Sequence, residues 1–394
     1  MDFRLTEEEI SLREQIASFA RREVPEDWEA GFEYEEYCPE HWPVTRQMAR
    51  KLAAQGWLGM GWSEAYGGTN RSVMSQLIFY EEAVYHRIPA YDMGIGGVSN
   101  VGALLALYGT EEQKKERLVR LAKGTEFWCI GYSEPDAGSD LRSLSSQAIA
   151  SDNGFVINGS KIWTSAAQAA DWCWLLARVG ADTAKNRGLT IFLVNMKSIG
   201  ITVSPINDIC GFPSFNQVYF DNVFVEKANV LGEVGKGWDY MPVLLFLERT
   251  FQAGASIARA RRLLDDTVNY LRNYSLPACR NRELIRHRLA GLKVEIEVGR
   301  LAAYRAAWFK QRGLMPESVA STARVYSSRI EQGTARTIMG VLGLFGQLKG
   351  ESPHSRLRGA AEHLYLCSLS DSILGGTTQI QKNIIALRGL GLPR

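Results

Sequence analysis

Three stretches of this chain bring together residue types that small-molecule chemistry uses. "GYSEPDAGSDL", Gly131 to Leu141, carries small residues at Ala137, Gly138 and Ser139, a turn in which backbone N–H groups can approach an anion, with a hydroxyl from Ser133 beside it. "INGSKIWTSAAQAADW", Ile157 to Trp172, sets the indole of Trp163 next to Thr164 and Ser165. "MPVLLFLERTFQAGASIARARR" places Glu248 and Arg249 directly after Val243, Leu244, Leu245, Phe246 and Leu247. A carboxylate that follows five apolar helical residues enters a partly desolvated pocket, and desolvation raises its pKa toward working pH, where it can take up a proton. Each stretch also has a plainer reading: a Gly-Ser turn with a core tryptophan for the first two, and a surface Glu paired one turn away for the third.

The elements that position these residues follow from periodicity. From Thr6 to about Lys123 apolar residues recur at three and four, as in Leu104, Leu105 and Tyr108, with breaks at "YGGTN" and "HRIPAYD". From about Thr125 to Gly235 the texture changes to short β-rich runs, "SSQAIA", "GFVING", "DWCWLLARV", "LTIFLVNM" and "QVYFDNVFV", parted by turn signals such as Asp152-Asn153-Gly154. After Gly237 long helical patterns return; in "IRHRLAGLKVEIEVGRLAAYRAAWFKQ" Leu289, Leu292 and Ile296 share one face. Breaks at "NYSLPACRN", "RGLMPES" and "LKGESPH" divide this part into four or five helices. The expected fold is α+β with an N-terminal α-helical domain over 1–123, a central β domain over 124–235 and a C-terminal helical bundle over 236–394.

Composition narrows the function classes. With 22% charged residues and a net charge of +2, nothing favours nucleic acid or a membrane surface, and a small-molecule substrate is expected. The first residues, "MDFRLTEEEISLREQIASFARREV", carry acidic residues and helical spacing where a signal peptide needs an apolar core, so a soluble, cytoplasmic protein is expected. Six cysteines without a CxxC pair, and five dispersed histidines, fit reduced thiols and no metal site. There is no GxGxxG or GxxxxGK[ST], so any nucleotide cofactor must be held in another way.

Taken jointly, "GYSEPDAGSDL" and "INGSKIWTSAAQAADW" resemble the two signatures of the acyl-CoA dehydrogenase family, flavoproteins that insert a trans double bond between the α and β carbons of an acyl-CoA. The resemblance spans essentially the whole chain, including "GWLGMGWSEAYGG", "YGTEEQKKERL" and the closing "GGTTQIQKNIIALRGLGL". It implies FAD as cofactor, with Tyr132, Ser133, Gly138, Ser139, Trp163, Thr164, Ser165, Thr377 and Gln379 at matching positions that hold it, and electron transfer flavoprotein as acceptor. It implies a β-barrel-like middle domain and a C-terminal four-helix bundle. Ser139, Arg249, Gly375 and Gly376 fall at positions near the thioester end of the substrate.

Many family members carry the base as a Glu immediately before the Gly-Thr of the closing motif, and here Gly375 stands there, in "LGGT". A second solution in the family takes the Glu from the helix after the β domain, just before an Arg, which matches Glu248 and Arg249. Glu248 is therefore the expected base, and Gly375 is expected to keep its backbone N–H for the thioester oxygen. Gly375 and Gly376 are expected to vacate side-chain volume there, which suits a bulky, branched, cyclic or steroid-like acyl group. Asp92, in "PAYDMGIGG", is read as a turn or cap residue rather than a second base.

The pattern also departs from the family. Where homotetramers clamp FAD with Arg-x-x-Phe-Gly and Gln-x-x-Gly-Gly, this chain reads "RNYSL" and "GVLGL"; Arg272 and Gly343 match, the Phe-Gly, the Gln and the second Gly do not. That combination resembles the actinobacterial steroid side-chain branch, whose members form α2β2 heterotetramers. A homotetramer, a heterotetramer with a related chain, a non-catalytic subunit and a flavin-dependent monooxygenase of the same fold all remain open at this level.

Overall fold

The computed structural model describes residues 2–25, 28, 38–89, 98–180, 188–274 and 282–393. Asp92 and Cys279 lie outside them. In chain order the helices are α1 (Glu7–Glu23), α2 (Trp42–Ala54), α3 (Val73–Tyr85) and α4 (Ala103–Tyr108), then α5 (Glu111–Gln113) and α6 (Val119–Ala122), which are joined through π geometry at 114–118. Eight strands follow: β1 (Trp128–Gly131), β2 (Gln147–Ser151), β3 (Gly154–Lys161), β4 (Trp172–Val179), β5 (Leu189–Asn195), β6 (Ile201–Ile206), β7 (Phe215–Glu226) and β8 (Val230–Leu231). The chain closes with α7 (Gly237–Asn273), α8 (Arg282–Gln311), α9 (Glu317–Leu342), α10 (Ala360–Cys367) and α11 (Thr378–Ile384). Two compact units result, one of Met1–Phe32, Val73–Ile88 and Phe246–Arg394, the other of Glu33–Ser72 and Pro89–Leu245. Among the described residues no helix is long and apolar enough to cross a membrane.

The first unit is helical. Its opening helix is fixed by local chemistry: the Thr6 side chain accepts from Glu9 N while the Glu9 carboxylate accepts from Thr6 N, and Glu7, Glu8 and Glu9 fill the positive end of the helix dipole. Leu12, Ile16, Phe19 and Ala20 then make one buried face. Leu289, Leu292 and Ile296 of α8 are buried as their spacing predicts, packed with Ile257, Leu263 and Leu264 of α7 and Ile330 and Ile338 of α9. Gly299 lets α8 approach α7, since a Cβ there would sit 2.4 Å from Ile257 Cδ1. Polar groups also enter this interior. Arg13 and Tyr304 both reach Glu81, Tyr304 Oη donating at 2.8 Å, which ties α1, α3 and α8 through one buried carboxylate.

The second unit is built on an eight-stranded sheet in the order β6-β7-β3-β2-β4-β5-β8, with β1 beside β4. The β2–β3, β3–β7, β4–β5, β5–β8 and β6–β7 pairs are antiparallel, while β4 receives both β1 and β2 in parallel. All five β-rich runs read from the sequence are strands. The additional three are β1, β6 and β8; two of them are only four and two residues long, and β6 contains Pro205 and buries none of its residues. The core comprises Ile157, Leu175, Phe192, Val194, Val218, Phe220 and Val223. Cys129 and Cys173, remote in sequence, are register partners here, and their mutual hydrogen bond together with burial pushes the Cys129 thiol well up.

Asp152 and Asn153 turn the β2–β3 hairpin as expected, but Gly154 serves a different purpose from turn geometry. It is paired with Glu226 on β7, and an added Cβ would lie 2.2 Å from the Val225 carbonyl oxygen. Gly154→Ala should therefore push β3 off β7 and cost about 1–3 kcal/mol, the usual scale of overpacking. Urea denaturation of the purified variant checks this, and an unchanged midpoint would remove the close approach as the reason for the glycine.

Candidate active site

Glu248 stands on α7 within the helical unit, partly buried, with its Oε2 fully enclosed and without a hydrogen-bond partner. Its Oε1 accepts from Gln252 Nε2 at 3.2 Å, one turn along the helix. Burial raises the carboxyl above its ordinary value, and the opposing charges of Arg249 and Arg324 and the Gln252 bond only partly offset that. The surface-pair alternative is thereby set aside, because the residue one turn away is a neutral amide. Val243, Leu244, Phe246 and Leu247 are all buried.

Arg249 is 4% exposed and has no carboxylate within ion-pair distance among the described residues; its Nε also lacks a partner. Burial lowers the affinity of its guanidinium for the proton, Glu248 partly restoring it. A buried cation with so little compensation costs several kcal/mol unless an acceptor reaches it, so it is a marked feature of this helix.

The closing turn comes to Glu248 from the other side. Gly375 (φ 66°) and Gly376 (φ 91°) both have left-handed backbone, which a side chain would strain. A Cβ on Gly375 would meet Gln252 Oε1 at 2.4 Å and Glu248 Oε1 at 3.3 Å. The volume expected to be vacant at Gly375 is thus taken by the Gln252 amide, a correction to the expectation from sequence. Gln381 Nε2 donates to the carbonyls of Gly375 (2.8 Å) and Gly376 (3.2 Å), whereas the Gly375 N–H donates to no group among the described residues.

Four ionisable side chains hold that turn. Arg324 donates to Asp371 at 3.2 Å and to the Leu374 carbonyl at 3.5 Å; Arg259 donates to Asp371 at 3.0 Å and to Glu331 at 2.5 Å. Burial opposes ionisation of Asp371, but Arg259, the hydrogen bond from Glu331 and Arg324 carry its carboxyl well below the usual range. Burial and the neighbouring Asp371 carboxylate push Glu331 well up, against the opposing charge of Arg259. Thr377 caps α11, accepting from Ile380 N at 3.2 Å, while Gln379 is exposed. Arg272 is exposed near the end of α7, and Gly343, at φ 61°, ends α9.

In the sheet unit two turns lie together. Glu134 and Ala137 exchange backbone hydrogen bonds of 2.9 and 3.0 Å around Pro135-Asp136, leaving Gly138 and Ser139 exposed with open space where a Gly138 side chain would be. The Ser133 carbonyl accepts from Ile162 N at 2.9 Å, and Lys161 Nζ donates to the Tyr132 carbonyl at 3.1 Å, joining this turn to the end of β3. Trp163 follows with φ 61° and a ring 58% exposed, braced edge-on by Phe215 at 6.0 Å; Thr164 Oγ1 is buried without a partner, and Ser165 is half-buried. An exposed indole on strained backbone is an arrangement found where a ligand is held.

Lys161 and Glu134 were missed in the sequence. Both are fully buried and paired at 2.8 Å, and Ser145 and Ser146 fill the remaining carboxylate lone pairs. Burial alone would raise Glu134, but Lys161 and the serines hold it at about 2, while burial lowers Lys161. The signal available was a lysine inside a strand otherwise reading as core, which requires a carboxylate partner.

Family models match along the chain: "Acyl-CoA dehydrogenase, N-terminal domain" over residues 6–125, "middle domain" over 129–223 and "C-terminal domain" over 235–390. Acyl-CoA dehydrogenase FadE26 of Mycobacterium tuberculosis is 33% identical over 359 residues, covering 89% of this chain and 88% of the relative. This chain belongs to the acyl-CoA dehydrogenase family. It is an oxidoreductase, with the family's helical, sheet and helical parts in the expected order. Acyl-CoA dehydrogenase IpdE1 of the same organism is 34% identical with the same coverage. Among solved structures, the Tcur3481-Tcur3483 steroid ACAD matches at TM-score 0.90 and 30% identity, and the ChsE4-ChsE5 complex from M. tuberculosis at 0.89 and 30%, each over 100% of both chains.

Two outcomes follow from this geometry. Lys161→Met leaves Glu134 buried and unpaired, so the dehydrogenase variant should lose about 3–5 kcal/mol of stability; Lys161→Met with Glu134→Gln should recover much of it, and denaturant titration distinguishes the two. For Glu248 the folded pKa exceeds the unfolded one, so the native state binds the extra proton and stability falls as pH rises through that window. Glu248→Gln should therefore melt higher than wild type at pH 8 by on the order of 1–2 °C, and show no such gain near pH 4, below both values.

Proposed function

We propose that this chain is the catalytic subunit of an FAD-dependent acyl-CoA dehydrogenase that introduces a 2,3-trans double bond into an acyl-CoA thioester. The observation that carries the proposal is Glu248: a carboxylate raised by burial, beside a closing turn whose residue at the other known base position is glycine. Glu248 accepts the α proton, and the free N–H of Gly375 stabilises the charge developing on the thioester oxygen. When bound, FAD supplies the acceptor for the β hydride, and electron transfer flavoprotein takes the electrons onward.

The sheet unit suits the flavin. Trp163 offers a planar face, Thr164 an unpartnered hydroxyl, and the Gly138 and Ser139 turn an open approach for small polar contacts. Tyr132, Ser133 and Ser165 complete that set; Thr377, Gln379, Arg272 and Gly343 are assigned to FAD by the family resemblance alone. Arg249, Gly375 and Gly376 serve the thioester end of the substrate, a role that the family resemblance also gives to Ser139. The three-part division at 1–123, 124–235 and 236–394 assigns flavin binding mainly to the middle part and the base to the last.

The favoured acyl group is bulky or ring-bearing, of steroid type, since the two solved structures at 30% identity are named for a steroid enzyme and a two-chain complex. The same likeness supports assembly with a related chain. It accords with the loss of the Phe-Gly and Gln positions of the clamp around Arg272 and Gly343.

Glu248→Gln should retain FAD yet slow flavin reduction by acyl-CoA by roughly 10²-fold or more under anaerobic stopped flow. Undiminished reduction would refute the base assignment. Expressed alone, the chain should carry well under one FAD per polypeptide, and co-expression with a related partner chain should restore it; a full complement in a homotetramer would rule the partner out.

A further inference from the structure

We infer that Gln252 is a positioning residue for this chemistry: its amide aims Glu248 and holds closed the space that a side chain at position 375 would use. This rests on the assignment of Glu248 as base. Two ends of one side chain have two tasks. The Nε2 donates to Glu248 Oε1 at 3.2 Å, and the Oε1 lies 2.4 Å from where a Cβ on Gly375 would be. That oxygen is buried and accepts from no donor among the described residues, so the amide is held between the carboxylate and the glycine by packing and by its single bond to Glu248.

The consequence for Glu248 is electrostatic and geometric. Of its two oxygens only Oε1 is bonded; Oε2 is enclosed and unpartnered, and so is the oxygen left to receive a proton. Donation from an amide favours the ionised carboxylate, and along with Arg249 and Arg324 it opposes the upward push of burial. Other charged groups face this place from the neighbouring elements. Arg324 comes from α9 but is engaged by Asp371, and Arg249 extends from the same helix as Glu248, so neither can fix the direction of the carboxylate as the Gln252 bond does. A glutamate at 375 would need the volume that the amide fills, and a shorter residue at 252 would leave Glu248 without its donor.

The test is the pH dependence of flavin reduction by substrate in the FAD-loaded protein, with its partner chain if one is required. Gln252→Ala should move the acid limb of the profile to higher pH and slow reduction roughly tenfold on that limb, the scale of one hydrogen bond to a charged group. Gly375→Ala, which displaces the same amide, should shift the limb in the same direction, and the double variant should show much less than the sum. A lowered plateau with an unmoved limb would mean that Gln252 only packs, and would overturn the inference. If Glu248→Gln itself still reduces flavin normally, the base assignment fails; if Glu248→Gln is inactive while Gln252→Ala leaves the limb in place, this inference alone fails.

Discussion

The helical unit depends on one buried arrangement, in which Arg259 and Arg324 converge on Asp371 with Glu331 alongside. Taking four such groups out of water is expensive, and pairing in a low-dielectric interior returns that cost only when the geometry is good and the lone pairs are filled. Here Asp371 is met by both arginines, and Glu331, pushed up by burial, accepts from Arg259 beside it. A hydrophobic replacement of similar volume would serve stability equally well, so the arrangement is better understood as specifying a position. Asp371 lies on the turn that leads into Gly375, and Arg324 also binds the Leu374 carbonyl, so the network fixes the backbone next to Glu248.

The contrast with Glu248 and Arg249 is instructive. Adjacent in sequence, one partly and one almost wholly buried, they form no ion pair with each other, and each retains a buried polar atom with no partner among the described residues. Where Asp371 is fully compensated and its pKa driven down, Glu248 is under-compensated and its pKa rises. The same helix bundle thus holds one acid ionised for structure and another poised to gain a proton, with the difference set by how many donors reach each carboxylate. The sheet unit repeats the first solution at Glu134 and Lys161, where a satisfied buried pair fastens the backbone of two turns whose remaining polar groups stay available.

Much of this was legible in the sequence, for identifiable reasons. Element types followed from periodicity because the buried faces are wide: Leu289, Leu292 and Ile296 are spaced for one helix face, and the five long strands alternate or run apolar between turn residues. Short pieces were not legible. β8 is two residues long and β6 contains Pro205 and buries no residue, so neither leaves a pattern to read. At the site, Glu248 stood out because an apolar run precedes it. Gln252 and Gln381 did not, because a glutamine carries no local mark of being buried, and the partner of Lys161 did not, because Glu134 lies 27 residues away in the sequence. Gln381, two residues past the Gln379 assigned by resemblance, is buried and donates to the Gly375 and Gly376 carbonyls.

The emptiness inferred from Gly375 shows why a small residue in a sequence does not establish a space. Gly375 has a φ of 66°, which a side chain would strain, and its missing Cβ would lie 2.4 Å from Gln252 Oε1, one turn along α7 from Glu248. Relocating a carboxylate from the turn to the helix therefore involves three positions: the helix gains Glu248, the turn gives up its side chain, and a residue four along fills the gap and holds the acid. Arg249, 4% exposed and with no carboxylate in ion-pair distance among the described residues, is a cost on this helix that Glu248 only partly offsets.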